Sequence, residues 1–491
     1  MKITISKLRA IVITVALIII GCVSNKILGN IAKNNDVEQA LIMASAICCI
    51  FVLLEFASWI RLTGELLCPY TVFLLVLFLF CCGQAIGWVL HIDMGNKDMW
   101  DRIDHNMSKH LLLQGLTYSN IGILFFHLGA IITTKCDRYY SKTAKWSAEE
   151  VREAFKGIGK ILLIICIPAF LANTYMSVMQ VIQSGYAGIY TFQQNSSMVM
   201  RFLNILSNYY QPCLLILLIA YNDEIRKRRW IVMAMMLDVI INLFIGGRSG
   251  AVMSLLAIIL AFHYFVQPFT KRQFALGAVG GYFGIAILNA VADIRDVANR
   301  NLLDFFPMLF SSLSNVIGEF IGELGWSITS VCWTMNLVPC SYEFRHGMSY
   351  LVSLISWIPS QFFTGTHPVV VWGELSTWLQ KALNMTYGPG YTMVAEAYLN
   401  FGYMGYIALF AEGMIVSYMI AQISRIDANR NLLKSTMQIM VIMILMKSLV
   451  RSSVSIAFRQ YIFVLLPLYI LIRLSIRRGE NINGNRNSNM A

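Results

Sequence analysis

Apolar residues in this chain fall in long unbroken blocks, not with the period of a strand or of a surface helix. A helix that crosses a bilayer needs about 17–25 such residues. Twelve blocks qualify, near 8–28, 38–60, 67–90, 111–133, 158–182, 202–221, 230–246, 250–267, 274–292, 393–423, 435–450 and 455–473. Between the ninth and the tenth lies one large loop, residues 293–391. In its first part, 302–330, apolar residues recur at helical spacing, which puts Glu319 and Glu323 on one helix face. The apolar stretch 347–363 is too short to cross twice and reads as a re-entrant or interfacial helix, with Trp357 at headgroup level. Residues 364–391 are punctuated by Gly and Pro and read as the mobile part. The segment 393–423 is longer than a bilayer needs, so its first two turns, with Glu396 and Asn400, are expected to stand in the outer mouth. The pattern predicts an all-α, polytopic helical membrane protein with about twelve transmembrane helices, a single membrane domain over 1–478, and a disordered Asn-rich tail at 479–491.

Composition supports this picture: 57% of residues are hydrophobic, 13% are charged and mean hydropathy is +0.63. Soluble domains are roughly a quarter charged. The net charge of +12 sorts by side and does not point to nucleic acid. Basic clusters such as Arg226, Lys227, Arg228 and Arg229 gather in the short connections on one side, which predicts that both termini are cytoplasmic and that the large loop is external. No cytoplasmic segment can fold as a domain, and no Walker A or dinucleotide motif is present, so the chain has nowhere to hold ATP or a nucleotide sugar in the cytoplasm, and if it is an enzyme its donor would arrive by another route, most simply dissolved in the membrane. The cysteines lie mostly in apolar blocks and form no disulfide or zinc pattern; Cys332 and Cys340 are the two in the large loop. The loop 91–110 is rich in Asp and His, a mixture that could bind a divalent cation, but it lacks calcium-site spacing and a solvated acidic loop is the plainer reading; no cofactor is expected.

A loop of this length usually has a task, and the charged residues around it are the chemical candidates. Arg248 sits in GGRSG, where flanking glycines let backbone N–H groups approach an anion and the guanidinium offers a bidentate fork; a tight turn with a snorkelling Arg is the plainer reading. Arg345, in YEFRHGMSY, reads either as a surface ion pair or as a second anion clamp beside Tyr350. Arg451, with Lys447 and Arg459 nearby, suggests an electropositive pocket or contact with lipid phosphate. Arg295 adds a cation at the start of the large loop. Glu319, Glu323 and Glu396 are candidate bases, with Glu323 in GELGW preferred. Asp238 and Glu412 lie inside apolar blocks and read as functional groups or as partners of a neighbouring helix.

The order of GGRSG, GELGWSITSVCWTMNLVP, FRHGMSY, AEAYLNFGYMGYIALF and LVRSS resembles the O-antigen polysaccharide polymerases of the Wzy type over roughly residues 160 to 470. The resemblance implies a bacterial inner-membrane glycosyltransferase of GT-C-like fold that needs no metal. Such an enzyme moves a glycan from one undecaprenyl-diphosphate carrier to the end sugar of another lipid-linked repeat unit, on the outer face. On these motifs Arg248 matches the arginine of the Gly-rich hairpin, Glu323 the glutamate, Arg345 and Tyr350 the FR-x-G-x-SY motif, and Arg451 the late arginine. His346 departs from the aromatic residue expected beside Arg345 and receives no role. Catalytic roles are therefore expected for Glu323, Arg345 and Arg248, and substrate contacts for Arg451, Tyr350, Glu396, Asn400, Glu319 and Arg295. Trp326, Tyr342, Trp357, Trp372 and Trp378 could stack on sugars or mark the membrane interface. A chain-length regulator and a flippase of the same pathway are the partner proteins the resemblance suggests. A flippase for lipid-linked glycans and an O-antigen ligase relative are the alternative functions; the former predicts internal repeats, which are not found.

Overall fold

The computed structural model describes residues 5–34, 36–100, 107–134, 146–184, 198–245, 248–295, 305–313, 315–385, 388–421 and 431–488. The regular elements among them are helices. In chain order the main ones are α1 (Ile5–Lys33), α2 (Val37–Thr63), α3 (Pro69–Leu90), α4 (Lys109–Thr133), α5 (Ala148–Ser184), α6 (Met198–Ser207) and α7 (Tyr210–Ala220). They continue with α8 (Ile225–Ile245), α9 (Arg248–Ala261), α10 (Lys271–Arg295), α11 (Phe305–Ser312), α12 (Val316–Gly325), α13 (Ile328–Leu337) and α14 (Met348–Ser353). The last seven are α15 (Pro368–Trp372), α16 (Leu375–Ala382), α17 (Met393–Phe401), α18 (Gly405–Ile420), α19 (Leu432–Ser448), α20 (Val454–Gln460) and α21 (Leu466–Ser488). Each of the twelve expected segments falls on helix. Eight helices among the described residues are long and apolar enough to cross a membrane. The difference has simple causes: α8 begins with a run of four basic residues, α19 is 17 residues long, and the apolar parts of α9 and α10 are short. The last helix continues to Ser488, through the tail expected to be irregular.

The chain divides into two compact units. The first comprises Met1–Arg138, Ile317–Gln422 and Ile444–Arg459. Its centre is α4, whose apolar window is 83% buried. Glycines allow α4 and α18 to touch backbone to backbone. A Cβ on Gly129 would lie 2.1 Å from the Phe410 carbonyl oxygen, and one on Gly413 would lie 2.0 Å from that of Phe126. Ser417 seals the same seam by donating to the Ala130 carbonyl at 3.0 Å. Lys7 is buried and donates to the carbonyls of Ile132 and Thr134, both at 2.7 Å. It thereby satisfies carbonyls that a helix end leaves without partners. The GELG run of α12 is likewise a packing device: a Cβ on Gly325 would meet the Gln84 backbone nitrogen at 2.5 Å, and Gln84 Nε2 donates to the Gly322 carbonyl at 2.8 Å.

The large loop is broken more finely than its pattern suggested. The stretch read as one interfacial helix is a single six-residue helix, α14, followed by turns. Residues 364–391 contain two short helices, α15 and α16. The long block 393–423 is split where Gly402 takes φ +57°, a conformation open to glycine at no steric cost. Cys332 and Cys340 are both free, one buried and one exposed.

The second unit comprises Tyr139–Val316, Ile423–Met443 and Gln460–Ala491. In it α5 packs on α7, with Gly159 against Leu217 and the Phe170 and Tyr210 rings stacked 3.9 Å apart. The intramembrane acid Asp238 is held by Gln211 of the neighbouring helix α7, so its structural reading has a partner.

Candidate functional site

In the first unit, residues 345–350 dock on the end of α17. A helix leaves its last carbonyls without intrahelical donors, and here the amides of Arg345 and His346 supply them, to Leu399 and Asn400, each at 3.0 Å. The chain then turns through two successive left-handed residues, His346 at φ +47° and Gly347 at φ +85°. The second of these needs glycine, since a Cβ there would also press on the Phe401 ring at 3.1 Å. Asn400 fixes the turn from below. Its Oδ1 accepts from the Gly347 amide at 3.0 Å, and its Nδ2 donates to Ser349 Oγ at 2.7 Å and to the Glu396 carbonyl at 2.8 Å. Ser349 Oγ in turn donates to Glu396 Oε1 at 2.6 Å, while Glu396 Oε2 accepts the Val454 amide at 3.0 Å. Glu396 and Asn400, expected in an open mouth, are both fully buried. Three distant stretches of chain meet here, because Glu396 bonds both Ser349 and the Val454 amide, while Asn400, near the end of α17, bonds the 347–349 turn.

This framework sets the position of Arg345. Its side chain is 7% exposed. The guanidinium donates to the Trp372 carbonyl at 2.5 Å and lies over the rings of Trp372 and Trp378, at 5.7 and 5.1 Å from their centroids. Trp378 packs edge-on to Tyr391, whose hydroxyl pairs with Thr334 Oγ1 at 2.8 Å. No carboxylate comes within ion-pairing distance of Arg345 among the described residues. Burial pulls its pKa below the ordinary guanidinium value, opposed by nearby Tyr391 and Glu396. An arginine nonetheless stays charged. The result is a desolvated cation cradled by two indoles, with one fixed carbonyl acceptor and N–H donors left over for an anion. The surface ion pair considered for Arg345 is not formed.

The other candidates are placed unequally. Tyr350 is half-buried, stacks on Phe401, and has its buried hydroxyl beside the Glu412 carboxyl without a hydrogen bond of good geometry. Burial raises its pKa. Arg451 is exposed, reaches over the Phe80 ring at 5.6 Å, and its carbonyl accepts the Tyr391 amide at 3.4 Å. The turn after it carries Ser453 and Ser455, both donating to the Gly373 carbonyl, at 3.2 and 3.1 Å. Glu319 and Glu323 share α12, both half-buried and both engaged with neighbours. Arg248 opens α9 and Arg295 closes α10, both in the second unit; their side chains lie outside the described residues. The structure thus brings Arg345, Tyr350, Glu396 and Asn400 together, with the turn after Arg451 alongside. Ser349 stands in the FRHGMSY motif but was given no role; the Val454 amide and the two indoles on Arg345 carried no motif that would have singled them out, apart from the aromatic content of the loop.

The profile of the family described as O-antigen polysaccharide polymerase Wzy matches residues 6–478, nearly the whole chain. The chain belongs to that family. No curated protein and no solved structure matches it. As a Wzy-family member it is a multi-pass membrane protein of polysaccharide biosynthesis, a polymerase that transfers glycosyl groups and works on lipid-linked oligosaccharides. For the Wzy family the geometry around Arg345 is of interest because a lipid-linked sugar leaves an anionic carrier behind. Among the described residues no cluster of three or more His, Cys, Asp or Glu is arranged to hold a metal ion.

Proposed function

We propose that this Wzy-family protein joins undecaprenyl-diphosphate-linked repeat units on the outer face of the bacterial inner membrane, with both termini in the cytoplasm. In one displacement the acceptor hydroxyl oxygen bonds to the anomeric carbon of the donor glycan. The bond from that carbon to the diphosphate oxygen breaks, with inversion, and the proton of the hydroxyl passes to a carboxylate. Arg345 holds the diphosphate as negative charge builds on the departing oxygen, where a fixed donor is worth most. The single observation that supports this role is the buried guanidinium with no carboxylate partner. A buried cation that answered only structural needs would be paired, since an unpaired one costs several kcal/mol by desolvation. Arg451, in the same unit, would add positive charge near the carrier.

Glu323 is the proposed base. It is half-buried, whereas Glu396 is sealed from solvent. Glu396 and Asn400 then act by holding the Arg345 turn, and Tyr350 by packing behind it. The test is extraction of lipid-linked glycans from cells carrying Arg345→Ala. The expected result is single repeat units on the carrier in the outer leaflet. Units trapped in the inner leaflet would indicate a flippase, and an unchanged ladder of chain lengths would remove Arg345 from the mechanism.

A further inference from the structure

In the second unit, Tyr221 ends α7 as a buried ring ringed by ammonium groups. Lys227 lies 4.5 Å from its centroid, Lys156 5.6 Å and Lys160 5.7 Å. Three cations around one aromatic ring repel each other, and the ring quadrupole offsets only part of that repulsion. The nearby carboxylates are already taken: Glu153 by Lys156 at 2.7 Å, Glu224 by Lys227 at 2.7 Å and Asp223 by Arg152 at 3.0 Å. Lys160, Arg226 and Arg229 are exposed and make no ion pair among the described residues. The cluster is therefore short of anions.

We propose that this cluster binds the phosphodiester headgroup of an anionic phospholipid, a role beyond the polymerase reaction. What favours a lipid over a soluble anion is the continuation of the site. In the turn and a half after Lys160, α5 exposes Ile161, Ile164 and Ile165; beyond the basic run, α8 exposes Trp230 and Met233. These faces lead away from the cations along apolar helix, as acyl chains would, and a tryptophan at that junction suits the headgroup boundary. The headgroup phosphate would bridge Lys160 and Lys227 above the Tyr221 ring.

The test uses the purified full-length protein in detergent. Its melting temperature is followed during titration with phosphatidylglycerol, phosphatidylethanolamine or inorganic phosphate. The expected result is a saturable rise with phosphatidylglycerol alone. Removing two headgroup contacts, Lys160→Gln with Lys227→Gln, should move the midpoint roughly thirtyfold higher, at about fivefold per charge. Arg477→Gln with Arg478→Gln, a change of equal charge elsewhere, should shift it by less than about threefold. An unmoved midpoint in the first variant, an equal shift in the second, or an equal response to inorganic phosphate would overturn the proposal. If the double variant fails to fold, Lys160→Gln alone, on an exposed position, carries the same comparison.

Discussion

Replacing Arg345 with Gln separates a side chain that holds the fold from one that holds a ligand. In the folded protein the guanidinium has two indole contacts, worth about 1 kcal/mol each, and one charge-assisted hydrogen bond, worth about 1.5–3 kcal/mol. Together these come to about 4 kcal/mol. Against them stands the desolvation of an unpaired cation, again several kcal/mol. The two nearly cancel, so Arg345→Gln should change unfolding stability by no more than about 2 kcal/mol. The rate should behave otherwise. Loss of one donor aimed at a departing oxyanion lowers turnover by about 10²–10³-fold. Arg345→Lys keeps the charge but not the planar fork, and loses roughly tenfold. The assay is polymerisation of purified lipid-linked repeat units by protein in liposomes, read as a ladder over time, with melting curves on the same samples. A variant that melts far lower yet turns over normally per folded molecule would refute the reasoning.

Three further outcomes are expected. Glu323→Gln should lower the initial rate at least 10²-fold with an unchanged melting temperature; a normal rate would move the base elsewhere. Asn400→Asp removes both donations from Nδ2 and puts an acid beside the buried Glu396, so it should destabilise by at least about 3 kcal/mol in denaturant titration. Gly413→Ala should force α4 and α18 apart and sharply reduce folded yield, while Gly277→Ala, with nothing within 4 Å of the added carbon, should be tolerated; equal yields would contradict the packing described.

The helices were legible because a spanning segment writes its apolar block into consecutive residues, as in α1 to α4. The loop motif FRHGMSY was legible as a cluster of polar residues at a turn. Its surroundings were not, because they are assembled across the chain: Ser349 meets Glu396 at a separation of 47 residues, and Val454 meets it at 58. Nothing local says that the first turns of α17 face inward rather than into a mouth. Nor does a tryptophan at 372 or 378 announce that its face will take a guanidinium instead of a sugar. The glycines of GELGW illustrate the same limit: they look like a flexible frame for Glu323, yet Gly325 is where α12 touches α3.

The docking of residues 345 and 346 onto the end of α17 has a consequence for how this family can diversify. The cation takes its coordinates from a helix terminus, by main-chain bonds from residues 345 and 346 backed by the side chains of Asn400, Ser349 and Glu396. Stretches farther along, such as the turns after α14, can then lengthen, shorten or change composition while Arg345 stays put.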